Sequence, residues 1–343
     1  MIWLTWRQFR AQALAALVIL AAAVIYFLIT GLQMHHSYAL DLAGCTPQND
    51  CANVLNDLQQ HYNVAFNLTQ VLVVAAPALI GIFWGAPLVA RELETGTNQL
   101  AWNQSVTRTR WLAVKLAGVG SASVAAAALL SLLVTWWAGP LDHIAGSRFS
   151  GITFSSRDVA PLAYAAFAFT LGVTVGLVMR RTVPAMSVTL AVFVGIQILV
   201  PSVIRPNLLS STTVSFPINR AIASQATGIY SNDGSSDFNI VLPVPLGAWV
   251  IAAPPVANAS GHVAASAGIN NCLMPPPAGP GKTGGPSIEK VIDCLAKYDL
   301  HEGVTYQPAS HYWPLQWYES GIFLLLAAAL SGSCFWLIRR RRN

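Results

Sequence analysis

Long apolar runs alternate with polar segments along the chain, and this alternation predicts its architecture. A transmembrane helix needs about 20 apolar residues, and six runs reach that length. They cover residues 11–32, 64–89, 112–138, 159–179, 183–204 and 317–338. None alternates apolar and polar positions as a barrel strand does, whereas a helix satisfies its backbone groups within one segment. The pattern therefore predicts an all-α integral membrane protein with six transmembrane helices.

The composition agrees with this class. Of the 343 residues, 54% are hydrophobic and 10% are charged, whereas a soluble domain carries about 25% charged residues. The first run follows Arg7 and Arg10, as the apolar part of a signal peptide would. It is too long for that part, however, and no small-residue cleavage site follows it. We therefore expect this run to be retained as the first span.

The distribution of cations predicts the orientation. Of the 19 Lys and Arg residues, eleven lie before the first span, between spans two and three, between spans four and five, or after the sixth span, and Lys115 at the beginning of the third span makes twelve. Cytoplasmic loops retain Lys and Arg, so we expect both termini in the cytoplasm. The same rule explains the net charge of +5, which therefore gives no reason to expect a nucleic-acid partner.

The polar segments divide the chain into three regions. Residues 1–204 hold spans one to five, preceded by an interfacial helix in which Trp3 and Trp6 accompany the first two arginines. Residues 205–316 are rich in Pro, Gly, Ser and Asn and predict an extracytoplasmic lobe that is β-rich or irregular. Residues 317–343 form the sixth span and a basic cytoplasmic tail.

Glycine and proline predict local irregularities within the spans. The second span contains Gly81 and Gly85 with prolines on either side, and the fifth contains Pro201 near its end. Such residues favour kinks or broken turns. The fourth span carries Gly172-x-x-x-Gly176, a spacing that favours close approach of another helix.

One charged island separates the second and third spans. It covers residues 90–115 and is rich in cations, so it belongs to the cytoplasmic face. Within it, Leu93, Thr97 and Leu100 recur at helical spacing, which predicts a short amphipathic helix over residues 92–103 with Gly96 loosening its middle. We expect Glu92 and Glu94 to be hydrated there.

The order of residues in this island resembles a known loop. Arg-Glu at 91–92, Glu-Thr-Gly-Thr at 94–97, Leu100, Ser-Val-Thr-Arg at 105–108 and Lys-Leu at 115–116 are similar to the loop between spans two and three of type-2 ABC exporter permeases. Residues 103–105 depart from that pattern, since a proline is common there in the family.

The resemblance implies a membrane subunit without catalytic machinery of its own. Its loop would form a coupling helix that docks on a separate ATP-binding cassette ATPase, which binds ATP and Mg, while this chain binds no cofactor. It also implies a homodimer or a heterodimer with a second permease, in contact with membrane lipids in the bacterial cytoplasmic membrane. The coupling residues would be Arg91, Glu92, Glu94, Gly96, Thr97, Leu100 and Arg108.

The five cysteines divide into two local pairs and a single residue. Cys45 with Cys51, and Cys272 with Cys294, lie in predicted outer segments, where thiols oxidise. Pairing within each segment predicts two disulfides, although four cysteines permit three connectivities. A metal site that includes nearby histidines is the alternative, but the spacing fits no zinc pattern. Cys334 lies alone in the sixth span.

No sequence motif predicts catalysis by this chain. Residues 279–283, GPGKT, lack the first glycine of a P-loop and its flanking strand and helix. The spans carry few charges, and Glu319 lies near the predicted outer interface, where we expect it to be hydrated. This near-absence of charge in the spans favours a lipid-like or amphiphilic substrate over a small ion. The alternatives are a membrane sensor or scaffold that binds a ligand through the lobe, and an outward-facing lipid enzyme.

Overall fold

Six long apolar helices dominate the computed structural model. They cover Arg10–Ala43, Asp57–Thr95, Arg108–Trp137, Ala160–Met179, Thr182–Asn207 and Ala309–Arg340, and each is long and apolar enough to cross a membrane. These helices confirm the predicted all-α, six-span class of integral membrane protein. The structure describes residues 2–44, 51–97, 107–145, 147–149, 151–219, 228–231, 238–241, 244–245, 247–254, 256–258, 272, 293–294, 296–298 and 300–340.

The described α-helices belong to one compact unit that comprises residues 1–208 and 312–343. They are α1 (Ile2–Gly44), α2 (Cys51–Ile80), α3 (Ala86–Thr95), α4 (Arg108–Trp137), α5 (Gly139–Ala145), α6 (Gly151–Ser155), α7 (Ala160–Met179), α8 (Thr182–Leu199) and α9 (Tyr312–Arg340). The segment predicted as a separate interfacial helix is the beginning of α1, which continues through it without a break.

Helix α7 lies at the centre of this unit. In the most apolar 18-residue stretch of this helix 67% of the residues are buried, compared with 6% in the corresponding stretch of the first span. Its small residues explain the close packing, because an added side chain at Gly172 would place its Cβ 2.3 Å from the carbonyl oxygen of Gly81. At Gly176 the Cβ would lie 2.7 Å from the carbonyl oxygen of Ala86. The predicted glycine face is therefore confirmed, and its partners are the segment Gly81–Gly85, which follows α2, and helix α3.

Two π-helical turns interrupt the spans where glycine and proline predict irregularity. One covers Gly81–Gly85 and joins α2 to α3, so these three elements form the second span. The other covers Val200–Ile204, includes Pro201 and follows α8. Proline removes a backbone donor and its ring clashes with the preceding turn, which explains the second interruption. The predicted irregularities are confirmed.

The prediction of a separate helix over residues 92–103 is wrong in two respects, the residue at which the helix begins and the role of Gly96. Residues 92–95 are the last turn of α3, which continues from the second span. Gly96 follows as the C-terminal cap with φ of 73°, a left-handed conformation that glycine adopts without strain. This glycine ends a helix and does not loosen one. Residues 98–106, which include Leu100, lie outside the described residues.

Residues Leu209–His311 form a second compact unit, shorter at both ends than the predicted lobe of residues 205–316. Its larger sheet is antiparallel and centred on β6 (Leu300–Gln307). The strands that pair with it are β1 (Thr212–Pro217), β4 (Trp249–Ala252) and β5 (Ala257–Asn258), and β2 (Gly228–Ser231) pairs with β3 (Phe238–Val241). The described residues of this unit are therefore rich in β-strands.

The cysteines follow the prediction where the structure describes them. Cys272 and Cys294 form a disulfide with their Cα atoms 5.6 Å apart, and Cys334 is free and buried in α9. Cys45 lies outside the described residues and nothing is described of the Cys51 side chain. The second disulfide therefore stays a prediction.

Candidate functional site

One end of the helical unit carries most of its arginines, and we call it the basic end. The apolar cluster beneath it contains Val89 of α3, Trp111 of α4, Leu177 of α7 and Ile338 of α9, so four helices meet there. The arginines that belong to it are Arg10, Arg91, Arg108, Arg110, Arg180, Arg181, Arg339 and Arg340. All of them except the half-buried Arg108 are exposed, which makes this surface strongly positive.

An ion pair fastens α3 to α4 at the basic end. The Lys115 Nζ atom lies 2.6 Å from a carboxylate oxygen of Glu92, and the two side chains are only 3% and 12% exposed. The same ammonium group donates a hydrogen bond to the carbonyl of Leu88 at 3.2 Å and lies 4.7 Å from the ring centre of Trp111. The prediction that Glu92 is hydrated is therefore wrong. Its carboxylate is the counter-ion of the buried ammonium group of Lys115, and a buried charge needs such a partner.

Glu94 fastens α3 to α8. Its Oε2 atom accepts hydrogen bonds from the backbone N–H and the hydroxyl of Thr182, at 2.9 and 2.7 Å. Thr182 is the first residue of α8, whose initial N–H groups have no partner within the helix. The carboxylate also lies at the positive end of the helix dipole. Glu94 is exposed, but its charge serves a contact within the chain.

The remaining predicted coupling residues lie around these two contacts. Arg91 is exposed on α3, and Gly96 and Thr97 follow it on the surface. Arg108 begins α4 after Thr107, whose side chain accepts a hydrogen bond from the backbone of Arg110. The structure thus joins the end of α3 to the beginnings of α4 and α8, with exposed cations beside the joint.

We expect Glu92→Gln to destabilise the protein by about 2 kcal/mol, because it leaves the buried ammonium group of Lys115 without a counter-charge. Thermal unfolding in detergent, followed by tryptophan fluorescence, measures this loss. The exchange Glu92→Lys with Lys115→Glu should recover only part of it, since a carboxylate cannot donate to the carbonyl of Leu88. Arg91→Gln is the exposed control, and an equal loss in that variant would contradict the buried ion pair.

A second group of charges is buried at the opposite end of the unit. Arg205 donates from Nε and Nη2 to the two carboxylate oxygens of Glu319, at 2.7 and 2.9 Å. Its Nη2 also donates to the hydroxyl of Ser155 at 2.8 Å, and Tyr164 donates its hydroxyl to Glu319. The guanidinium lies 4.1 Å from the ring centre of Phe154. Both charged side chains are fully buried.

This cluster corrects two expectations. Glu319 is not hydrated, and the spans do contain buried charge. The charges bind one another, because a two-point arginine–carboxylate contact satisfies both groups. Arg205 follows the π-helical turn after α8, Glu319 lies in α9, and Tyr164 lies in α7. The cluster therefore holds three spans together and leaves neither charge for a substrate.

Further polar contacts surround the cluster. Gln316 accepts a hydrogen bond from the backbone N–H of Ala160 at 3.0 Å and donates to the carbonyl of Phe154 at 3.1 Å. Tyr312 donates its hydroxyl to Asp158 at 2.6 Å. These bonds attach the beginning of α9 to the region where α6 leads into α7. Sequence analysis missed these residues because single Gln, Tyr and Asp residues near span ends carry no distinctive spacing.

A separate pair is buried between α5 and the segment before α7. The Nη2 atom of Arg157 lies 3.3 Å from Asp142, and its Nη1 donates to the carbonyl of Val134 at 2.7 Å. Burial raises the pKa of the Asp142 carboxyl, and the charge of Arg157 opposes this shift. Burial likewise lowers the pKa of Arg157. Each charge therefore depends on the other.

No metal site is evident among the described residues, since no three His, Cys, Asp or Glu side chains there are grouped to hold an ion. The GPGKT segment of residues 279–283 lies outside the part of the chain that the structure describes. The prominent features of the described helical unit are therefore a positively charged surface and the ion pairs and hydrogen bonds that join its helices.

Comparison with known proteins gives one match. A family described as ABC-2 membrane transporter related matches residues 17–205. This range covers spans two to four, most of spans one and five, the basic end of α3 and α4, and Arg205. No curated protein and no solved structure shows a significant match.

Proposed function

We propose that this chain, which belongs to the ABC-2 membrane transporter related family, is the membrane-spanning permease subunit of an ATP-driven exporter. A separate ATP-binding cassette ATPase would bind ATP and Mg and supply the energy. The observation that carries the proposal is the basic end, where exposed arginines surround a joint between three spans. A docked partner could move several spans at once there.

The contacts at the joint suggest how force would pass into the membrane. A push on the segment after Gly96 acts on the end of α3. The Glu92–Lys115 pair would transmit it to α4, and the bonds from Thr182 to Glu94 would transmit it to α8. The π-helical turns in the second and fifth spans are the positions where these helices deform most easily.

The assembly and the substrate are further parts of the proposal. The resemblance to type-2 ABC exporter permeases supports a dimer, either of two identical chains or of this chain with a second permease. Both termini would lie in the cytoplasm of a bacterial cell and the lobe outside. The buried Arg205–Glu319 and Glu92–Lys115 pairs use their charges internally, and this supports a lipid-like or amphiphilic substrate over a small ion.

Association with an ATPase tests the proposal. The tagged chain, solubilised from its membranes, should copurify with an ATP-binding cassette ATPase whose hydrolysis in lipid vesicles it stimulates. Arg91→Glu should weaken association by about tenfold or more, since a reversed charge at an interface costs several kcal/mol. The exposed Lys297→Glu makes the same change in net charge in the second unit, outside the basic end, and is the control.

Two results would contradict this proposal. In the first, no such ATPase accompanies the wild-type chain and its hydrolysis does not respond to the chain. In the second, Arg91→Glu and Lys297→Glu weaken association equally, which would remove the basic end as the coupling surface. The first result would favour the sensor or scaffold alternative.

A further inference from the structure

An apolar groove runs between α1 and α4. Its volume is about 690 Å³, within the range of about 300–1,000 Å³ that small-molecule pockets occupy. Leu17 and Leu20 of α1, Gly118 and Ala122 of α4, and Trp84 of the first π-helical turn contribute to its lining. Every lining residue is Ala, Gly, Val, Leu or Trp. A polar solute would find no partner there, whereas a hydrocarbon chain fits.

The groove opens toward the bilayer. The first span is the least buried of the six spans in the described chain, since only 6% of the residues in its most apolar 18-residue stretch are buried. Leu17, in the wall of the groove, is 58% exposed. Lipid tails are as apolar as leucine, so contact with an acyl chain alone gives little preference for one lipid over another. Any selectivity must come from groups at the end of the groove.

Two arginines, Arg10 and Arg110, lie beside one end of the groove. Arg10 precedes the lining residue Ala13 by three positions, and Arg110 precedes Val114 by four. Residues three or four apart share a helix face, so each arginine lies one turn before the groove on its own helix. Both are exposed. The Gln12 side chain donates to the carbonyl of Phe83 at 3.2 Å and holds α1 against the π-helical turn.

We propose that this groove binds one acyl chain of an anionic phospholipid whose phosphate is recognised by Arg10 and Arg110. The lipid is a resident ligand of the membrane leaflet at the basic end and is not the exported substrate. Juxtamembrane cations attract anionic lipids. The same arginines disfavour a second copy of this chain as occupant, because its identical cations would repel them. The inference holds whether or not the chain transports anything.

Photolabelling tests the site directly. The full chain is placed in phosphatidylcholine nanodiscs that contain phosphatidylglycerol with a photoreactive acyl chain, and labelled peptides are mapped by mass spectrometry. We expect labelling of residues 13–20 and 114–129 above that of the equally apolar exposed face of α9 around Leu325. A phosphatidylcholine probe with the same acyl chain should label the groove more weakly.

Two pairs of variants separate the groove from its arginines. A Cβ atom added at Gly118 or at Gly332 would have no atom within 4 Å, so Gly118→Phe should fill the groove and suppress its labelling, while Gly332→Phe on α9 should leave it unchanged. Arg10→Gln and Arg110→Gln should each reduce the preference for phosphatidylglycerol by about fivefold. Arg340→Gln should not.

Three outcomes would overturn the inference. They are equal labelling by the two lipid probes, equal suppression by Gly118→Phe and Gly332→Phe, and efficient disulfide crosslinking between two chains through Ala122→Cys. The last would make the groove an interface between copies. None of these measurements involves an ATPase, so their failure leaves the proposed exporter function standing, and failure of ATPase association leaves the lipid site standing.

Discussion

Replacing Arg205 by methionine is expected to lower the free energy of unfolding by about 3–5 kcal/mol, because the change leaves the carboxylate of Glu319 buried without a cation. Arg205 and Glu319 are both fully buried, so water cannot solvate the remaining charge. Tyr164 would still donate a hydrogen bond to it. Thermal unfolding in detergent, followed through the 11 tryptophans of the chain, measures the loss.

The double variant distinguishes a buried charge from lost packing. Arg205→Met with Glu319→Gln removes both charges and keeps an acceptor for the hydroxyl of Tyr164, so it should be more stable than Arg205→Met alone. Arg340→Met, at an exposed position, should change stability by less than about 0.5 kcal/mol. Wild-type unfolding of Arg205→Met would show that the pair contributes nothing.

The second large effect is expected for Gly172→Leu, with a loss of about 3 kcal/mol. A Cβ atom at this position would lie 2.3 Å from the carbonyl oxygen of Gly81 and 2.7 Å from the backbone nitrogen of Ala86. These are backbone atoms of the π-helical turn and of α3, so no side-chain rotation can relieve the clash. Helix α7 must separate from the second span or the variant must fail to fold.

Gly195→Leu on α8 is the matched control for this change. It makes the same substitution within a span, but an added Cβ meets no atom within 4 Å. We expect yield and melting temperature near wild type for Gly195→Leu and a large decrease in both for Gly172→Leu. Equal behaviour of the two variants would contradict the close contact between α7 and the second span.

Ion pairs and hydrogen bonds join the helices of the helical unit at both of its ends. Glu92 and Glu94 attach α3 to α4 and α8 at the basic end, and Arg205 with Glu319 joins the fifth span and α9 to α7 at the opposite end. The fifth span, which contains α8 and the π-helical turn before Arg205, is thus held at both ends. In the proposed exporter, motion of the fifth span would deform this turn.

The local pattern of the chain predicted its class and several details. Span number follows from the length of apolar runs, because each helix satisfies its own backbone bonds without help from distant residues. The π-helical turns follow from Gly81, Gly85 and Pro201, and the close packing of α7 from Gly172 and Gly176, since these are properties of single residues and short spacings. The disulfide between Cys272 and Cys294 follows from their shared segment.

The partners of the charged side chains are evident only from the packing of the helices. Glu92 pairs with Lys115, which lies on another span. Glu94 accepts hydrogen bonds from Thr182, 88 residues away in the sequence, and Arg205 binds Glu319, 114 residues away. A sequence shows that an acid lies near a span end, where water is its ordinary partner. Whether a cation from another helix replaces that water depends on which helices pack together, and here the packing around α7 brings the partners within hydrogen-bonding distance.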